Sequence, residues 1–126
     1  MLIFVYGTLR RGESNQHQLR AARFVSYAST AACYELVDMG HYPALLEGGH
    51  DTVRGELYEV PASWLGHLDA FEEVPTLYER KPIEIAGMQV LGYVMRREVA
   101  RDAPRIPSGD WCARYSLAAA ESSDGM

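Results

Sequence analysis

One carboxylate is singled out by its position on a helix. The segment PASWLGHLDAFE, Pro61 to Glu72, opens on a proline suited to a first helical turn and then spaces its apolar residues at helical intervals. With successive residues about 100° apart around the axis, Trp64, Leu65, Leu68 and Phe71 share an arc about 120° wide. Glu72 falls inside that arc, Asp69 at its margin and Glu73 on the opposite side. Desolvation disfavours the charged form of a carboxyl among apolar neighbours, which moves its pKa up towards the range useful for proton transfer. Glu72 is therefore a candidate general acid–base residue, with Asp69 as its rival. The plain alternative is that the helix ends ahead of Pro75, and that Glu72 turns to solvent or pairs with an arginine such as Arg80.

A second candidate is the strand-to-loop junction Tyr6-Gly7-Thr8-Leu9. Glycine lets consecutive backbone N–H groups converge on one point as an anion-binding concavity. Such donors can hold a carboxylate or a developing oxyanion without a charged side chain, although a lone glycine after a strand also suits a simple turn. Gly12 completes neither a P-loop nor a dinucleotide-binding fingerprint. None of Ser14, Ser26, Ser29, Ser63 and Ser108 sits in a Gly-x-Ser-x-Gly elbow, and His17, His41, His50 and His67 form no i, i+4 pair on a helix. Neither a hydrolytic triad nor a metal site is expected, and no cofactor is implied. Of eight tyrosines, most are expected half-buried in a sheet with partnered hydroxyls, and one or two at a pocket wall.

The elements that must position these groups are those of one small domain. At 126 residues, 48% hydrophobic and 23% charged, the chain has ordinary globular composition and enough apolar residues for its own core. Twelve basic residues stand against 17 acidic ones, a formal charge of −5, and the basic clusters Arg10-Arg11 and Arg96-Arg97 are only pairs. Nucleic-acid binding, which needs a concentrated positive footprint, is not expected. The apolar run at the N-terminus is too short for a signal peptide or a membrane span. Cys33 and Cys112 show no metal-ligand or disulfide-framework spacing, so a reducing cytoplasm is the default compartment.

Leu2 to Tyr6, Ala32 to Asp38 and Thr52 to Val60 read as strands, and Ile83 to Ile85 with Gln89 to Met95 as a hairpin. Ser14 is placed to cap a helix running to about Phe24, and Met39 to His50 reads as a Gly- and Pro-bearing connection. The pattern predicts an α+β domain over residues 1–117, with a sheet curling towards a small barrel. A loose tail is expected over 118–126.

Phe4-Val5-Tyr6-Gly7-Thr8-Leu9, Gly40-His41-Tyr42-Pro43, Val53-Arg54-Gly55-Glu56-Leu57-Tyr58, Leu68-Asp69-Ala70-Phe71-Glu72, Tyr78-Glu79-Arg80 and Ser108-Gly109-Asp110-Trp111 follow one another from about Leu2 to Arg114. In this order and spacing they resemble the gamma-glutamylcyclotransferase-like superfamily, nearest its gamma-glutamylamine cyclotransferase branch and bacterial relatives. The resemblance implies a small mixed, mostly antiparallel β-barrel flanked by helices, with a cavity between the N-terminal loop and the glutamate-bearing helix. It implies binding of a glutamyl group by Tyr6, Gly7, Thr8 and Leu9, with Tyr42 and Tyr78 at the same pocket, and proton transfer by Glu72. The implied reaction releases 5-oxoproline and a free amine from a small gamma-glutamyl amide, the substrate's own α-amine attacking its γ-carbonyl. Two other readings use the same residues: an amidohydrolase with water as nucleophile, and a noncatalytic domain that binds a gamma-glutamyl metabolite. Loops Gly40 to His50 and Arg96 to Ser108 are placed to rim a pocket mouth, and neither carries a motif that selects the leaving amine.

Overall fold

A computed structural model describes residues 1–113. The tail expected over 118–126, and the last residues of the domain expected over 1–117, lie outside the described residues. The described residues form seven strands: β1 (Leu2–Val5), β2 (Arg23–Ser29), β3 (Tyr34–Asp38), β4 (Pro43–Glu47), β5 (Arg54–Glu59), β6 (Glu79–Ile85) and β7 (Met88–Val94). Two short α-helices accompany them, α1 (Leu65–Phe71) and α2 (Arg97–Ala100).

The apolar run LIFV makes β1 the central strand of a five-stranded sheet ordered β2-β5-β1-β7-β6. It pairs antiparallel with β5, Val5 opposite Glu56, and parallel with β7, Phe4 opposite Gly92. Side chains alternate across a strand, so Ile3 and Val5 pack on one side with Leu65 and Leu68 of α1. Phe4 and Tyr6 pack on the other side with Leu36, Leu45, Ile83 and Trp111. Leu68 is fully buried, and burial of such a side chain contributes about 1.5–3 kcal/mol towards holding α1 on the sheet.

The sheet is mixed and mostly antiparallel, and the α+β class holds, but the expected barrel is an open sheet. Its edges approach where the Ala31 N–H, just past β2, donates to the Glu84 carbonyl of β6 at 3.0 Å, and no ladder joins β2 to β6. The β3–β4 hairpin forms its own two-stranded sheet, tied to the chain after β7 by the Met95 N–H on the Leu45 carbonyl at 2.9 Å.

Three sequence expectations are corrected. The helix from Ser14 to Phe24 is a single 3-10 turn, Gln16–Leu19, with Asn15 at its start and no side-chain cap. Phe24 belongs to β2, where alternation through Phe24, Ser26 and Ala28 pairs with β5, and sheet pairing outweighs weak helical spacing. The stretch Met39 to His50 contains β4, because its buried residues Pro43 to Leu46 pair with β3 across a tight connection. The strong helix begins as a 3-10 turn, Ala62–Trp64, and the α-helical part ends at Phe71, with Glu72 as its C-cap. Among the described residues no helix is long and apolar enough to cross a membrane.

Candidate active site

The central strand ends at Val5, and the chain leaves it through Tyr6, Gly7, Thr8 and Leu9, beside the C-terminal end of α1. Between them lies a cavity of about 250 Å³. Every site residue expected from the sequence lines it: Tyr6, Gly7, Thr8, Leu9, Tyr42, Glu72 and Tyr78.

Glu72 stands at the C-cap, its backbone N–H bonded to the Leu68 carbonyl at 2.9 Å, and its side chain faces the cavity. No hydrogen bond or ion pair from a described residue reaches its carboxylate. Burial first, and the neighbouring Glu73 charge second, push its pKa from 4.5 up to about 7. Arg80, the alternative partner, is taken elsewhere: its Nη1 bonds Asp69 Oδ2 at 2.9 Å, while Tyr93 Oη donates to Asp69 Oδ1 at 2.9 Å. Asp69 is thus held by β6 and β7 and fastens α1 to the sheet one turn before Glu72. Glu73 is exposed at the rim in a left-handed conformation, φ 54°.

Across the cavity, the N–H groups of Gly7, Thr8 and Leu9 donate to no backbone carbonyl among the described residues. The loop that carries them is nevertheless firmly held. The Arg10 N–H closes a turn on the Gly7 carbonyl at 3.0 Å, and Asn15 bonds Thr8 twice, N–H to carbonyl at 2.9 Å and Nδ2 to Oγ1 at 3.1 Å. Beyond it, Arg10 Nε donates to Glu56 Oε2 at 3.0 Å and Nη1 to Asp110 Oδ1 at 2.7 Å. Glu56, 1% exposed, also accepts the Arg11 N–H and the Tyr58 hydroxyl on Oε1, at 3.0 and 2.9 Å. Burial, then Glu56, raises the Tyr58 pKa to about 12, so that hydroxyl stays a donor. Two of the sequence motifs, those carrying Glu56 and Asp110, therefore meet Arg10, the residue that follows a third, in one buried ion cluster behind the loop.

Gly7 lies hard against Pro43. A Cβ on Gly7 would meet Pro43 Cγ at 2.5 Å and Cδ at 2.7 Å, and a ring fixed at the start of β4 cannot give way as a flexible side chain would. Gly7→Ala is expected to push the loop off its place, lowering kcat/KM by about 10–100-fold, as misplacement of binding groups by up to an ångström does. Overpacking should cost about 1–3 kcal/mol. Steady-state kinetics and urea unfolding check both, and a variant with parental kcat/KM would show that loop placement does not matter.

Phe4, Val5, Asn15, Pro43, Phe71, Leu77 and Tyr93 also line the cavity. Of these, Tyr93 gave no sequence signal beyond being one tyrosine among eight. The segment Arg96 to Ser108 contributes nothing to the lining, contrary to expectation. Among the described residues, no cationic side chain and no serine, cysteine or histidine lines this cavity, and no group of three His, Cys, Asp or Glu side chains is placed to hold a metal ion.

The family model described as gamma-glutamyl cyclotransferase, AIG2-like, matches residues 3–113. The chain belongs to this family. A relative from Vibrio cholerae is 43% identical over 113 residues, covering 90% of this chain and 96% of its own length. The human gamma-glutamylaminecyclotransferase is 35% identical, over 93% of this chain and 78% of its own. The solution NMR structure of the Escherichia coli protein ytfP superimposes with a TM-score of 0.71 at 36% identity, covering 91% of this chain and 99% of that one. Membership in the gamma-glutamyl cyclotransferase family bears out the motif resemblance, the α+β fold it implied and the class of enzyme, a cyclotransferase.

Proposed function

We propose that this chain releases 5-oxoproline and a free amine from a small gamma-glutamyl amide, with Glu72 as the proton carrier and the Gly7 to Leu9 backbone as the glutamyl-binding element. The observation that carries the reading is the pairing across one cavity of a carboxyl raised to about 7, with no partner among the described residues, and three N–H groups that meet no backbone carbonyl among them. The volume is small beside ligand pockets of about 300–1,000 Å³, a size for a glutamyl group with the leaving amine at the mouth.

The substrate's α-amine has a reference pKa of about 8 and is mostly ammonium at neutral pH. Glu72 takes one proton from it, and the freed lone pair attacks the γ-carbonyl, forming the lactam C–N bond. The resulting oxyanion is placed for the loop's N–H groups. Glu72 then passes its proton to the leaving nitrogen as the old C–N bond breaks, and relays to the departing amine the second proton that the lactam nitrogen sheds, so that the amine leaves as ammonium. Substrate atoms are conserved between lactam and amine, and no water is consumed. A lining that has no serine, cysteine or histidine among the described residues suits such ring closure, because the protein need only hold amine and carbonyl together and relay protons between the two nitrogens. We place this activity in a reducing cytoplasm, which the free thiols of Cys33 and Cys112 fit.

Mass spectrometry of products from a panel of gamma-glutamyl amides tests the reading: 5-oxoproline supports it, free glutamate replaces it with hydrolysis, and binding without turnover replaces it with a sensor. The pH profile is a second check. Glu72 must be ionised to accept the first proton, so kcat/KM should rise through about 7 and level or fall above the amine's pKa of about 8. An acidic limb below pH 5 would assign the base to an ordinary exposed carboxylate instead.

A further inference from the structure

A hydroxyl has one proton to give and two lone pairs to offer. In this cavity the protons of two buried tyrosines are already committed. Tyr6 Oη donates to the Tyr93 carbonyl at 2.7 Å, and Tyr78 Oη donates to the Pro43 carbonyl at 2.7 Å. Tyr6 Oη also accepts the Leu45 N–H at 3.3 Å, and it lies within hydrogen-bonding reach of Tyr78. Among the described residues, no N–H donates to Tyr78 Oη, which leaves its lone pairs open beside Glu72.

Ionisation does not alter this arrangement. Burial first, then the Tyr6 and Glu72 charges, hold the Tyr78 pKa far above its ordinary value, and burial with Glu72 does the same for Tyr6. The charged and titratable groups facing this corner are Tyr6 from the end of β1, Glu72 and Glu73 from the end of α1, Tyr42 from the connection before β4, and Tyr93 from β7. Among the described residues no cationic group faces this corner, which therefore suits a cation or an N–H donor.

We propose that Tyr78 Oη accepts an N–H of the substrate's α-amino group and turns that amine towards the γ-carbonyl. The inference rests on the cyclotransferase reading above and adds a specificity determinant to it. An ammonium group offers three N–H bonds: one proton goes to Glu72, and a second N–H is held by Tyr78. An acceptor at this place leaves the nitrogen lone pair free for attack, whereas a hydroxyl donating to the amine would occupy it. Because the Pro43 carbonyl holds the Tyr78 proton, the hydroxyl is fixed as an acceptor before substrate arrives.

The test compares two ligands that differ only in the amino group: L-γ-glutamyl-n-butylamide, and glutaric acid mono-n-butylamide, which cannot cyclise. Dissociation constants are measured by calorimetry in the Glu72→Gln background, where the first ligand is not consumed, with and without Tyr78→Phe. The aminated ligand should bind Glu72→Gln about tenfold or more tighter than its deaminated analogue, as expected for a charge-assisted hydrogen bond. Adding Tyr78→Phe should bring that ratio to within about threefold of unity, with the deaminated ligand changed less than about twofold. Tyr27→Phe, whose ring is exposed and lies outside the cavity, should leave the ratio unchanged. A ratio that survives Tyr78→Phe overturns the proposal, and so does equal weakening of both ligands, which would mark Tyr78 as structural only. Release of 5-oxoproline from the aminated ligand by the parent protein is scored separately, so failure of the cyclotransferase reading is distinguishable from failure of the Tyr78 contact.

Discussion

In Glu72→Gln, release of 5-oxoproline falls by a factor of about 10²–10⁴, the range lost when a positioned acid–base group is removed. The substitution keeps the shape of the side chain and removes only its ability to take and return a proton. The cavity walls and the loop at Gly7 to Leu9 do not depend on it, because no described residue bonds to the carboxylate. Substrate binding should therefore persist while kcat collapses. A purified Glu72→Gln protein that turns over at the parental rate would remove Glu72 from the mechanism.

The same variant should be more stable than the parent at alkaline pH. The folded-state pKa of Glu72, about 7, lies above the ordinary 4.5, so the folded protein holds this proton more tightly than the unfolded chain. Stability is then greatest below about pH 4.5 as far as this group is concerned, falls as pH rises through about 7, and is flat beyond. The full difference amounts to about 3 kcal/mol. Glutamine carries no such penalty, so urea unfolding should show Glu72→Gln gaining about 2–3 kcal/mol over the parent at pH 8.5 and almost nothing at pH 4.5. A carboxyl that destabilises the fold it sits in is what an exchange of stability for activity would leave at the proposed proton carrier. An equal difference between the two proteins at both pH values would mean that Glu72 is not desolvated.

Arg10→Met should be the most destabilising single change at the ion cluster, at about 3–5 kcal/mol. Glu56 is 1% exposed and is paired with Arg10 at 3.0 Å. Removing the guanidinium leaves a buried carboxylate with only the Arg11 N–H and the Tyr58 hydroxyl, and it also releases Asp110. A loss of this size is a large part of the 5–15 kcal/mol that holds an ordinary domain together. The double variant Arg10→Met/Glu56→Gln removes both charges, and should recover much of the loss, because burying an ion pair is itself costly. Urea unfolding of the two single variants and the double variant gives the coupling directly. A loss under about 1 kcal/mol in Arg10→Met would show the pair to be as weak as a surface one. Activity should fall with stability here, since Arg10 follows the Gly7 to Leu9 loop immediately and anchors it to β5.

Much of the candidate site was legible because its signals are local. The helical period put Glu72 on the apolar arc and Glu73 away from it, and one turn of helix suffices to decide that. A glycine after an apolar strand marked the loop at Gly7, and an unremarkable composition implied one core. The motif order carried the family. Local spacing also misled, since the weak helical pattern from Ser14 gave way to β2, whose conformation is decided by register with β5. It likewise hid β4, which is a strand because β3 lies alongside it.

Tertiary structure alone decided which carboxylate is free. Asp69 and Glu72 stand one turn apart at the end of one short helix, yet Asp69 meets Tyr93 across 24 positions and Arg80 across 11, while Glu72 meets no partner among the described residues. It likewise decided that Tyr6 donates to a carbonyl 87 positions away and Tyr78 to one 35 away, which turns both from donors into acceptors. The physical reason is range. Periodicity along a chain tells which side of its own element a residue faces, but a pKa or a hydroxyl's direction depends on groups that only strand order and register bring within about 3 Å.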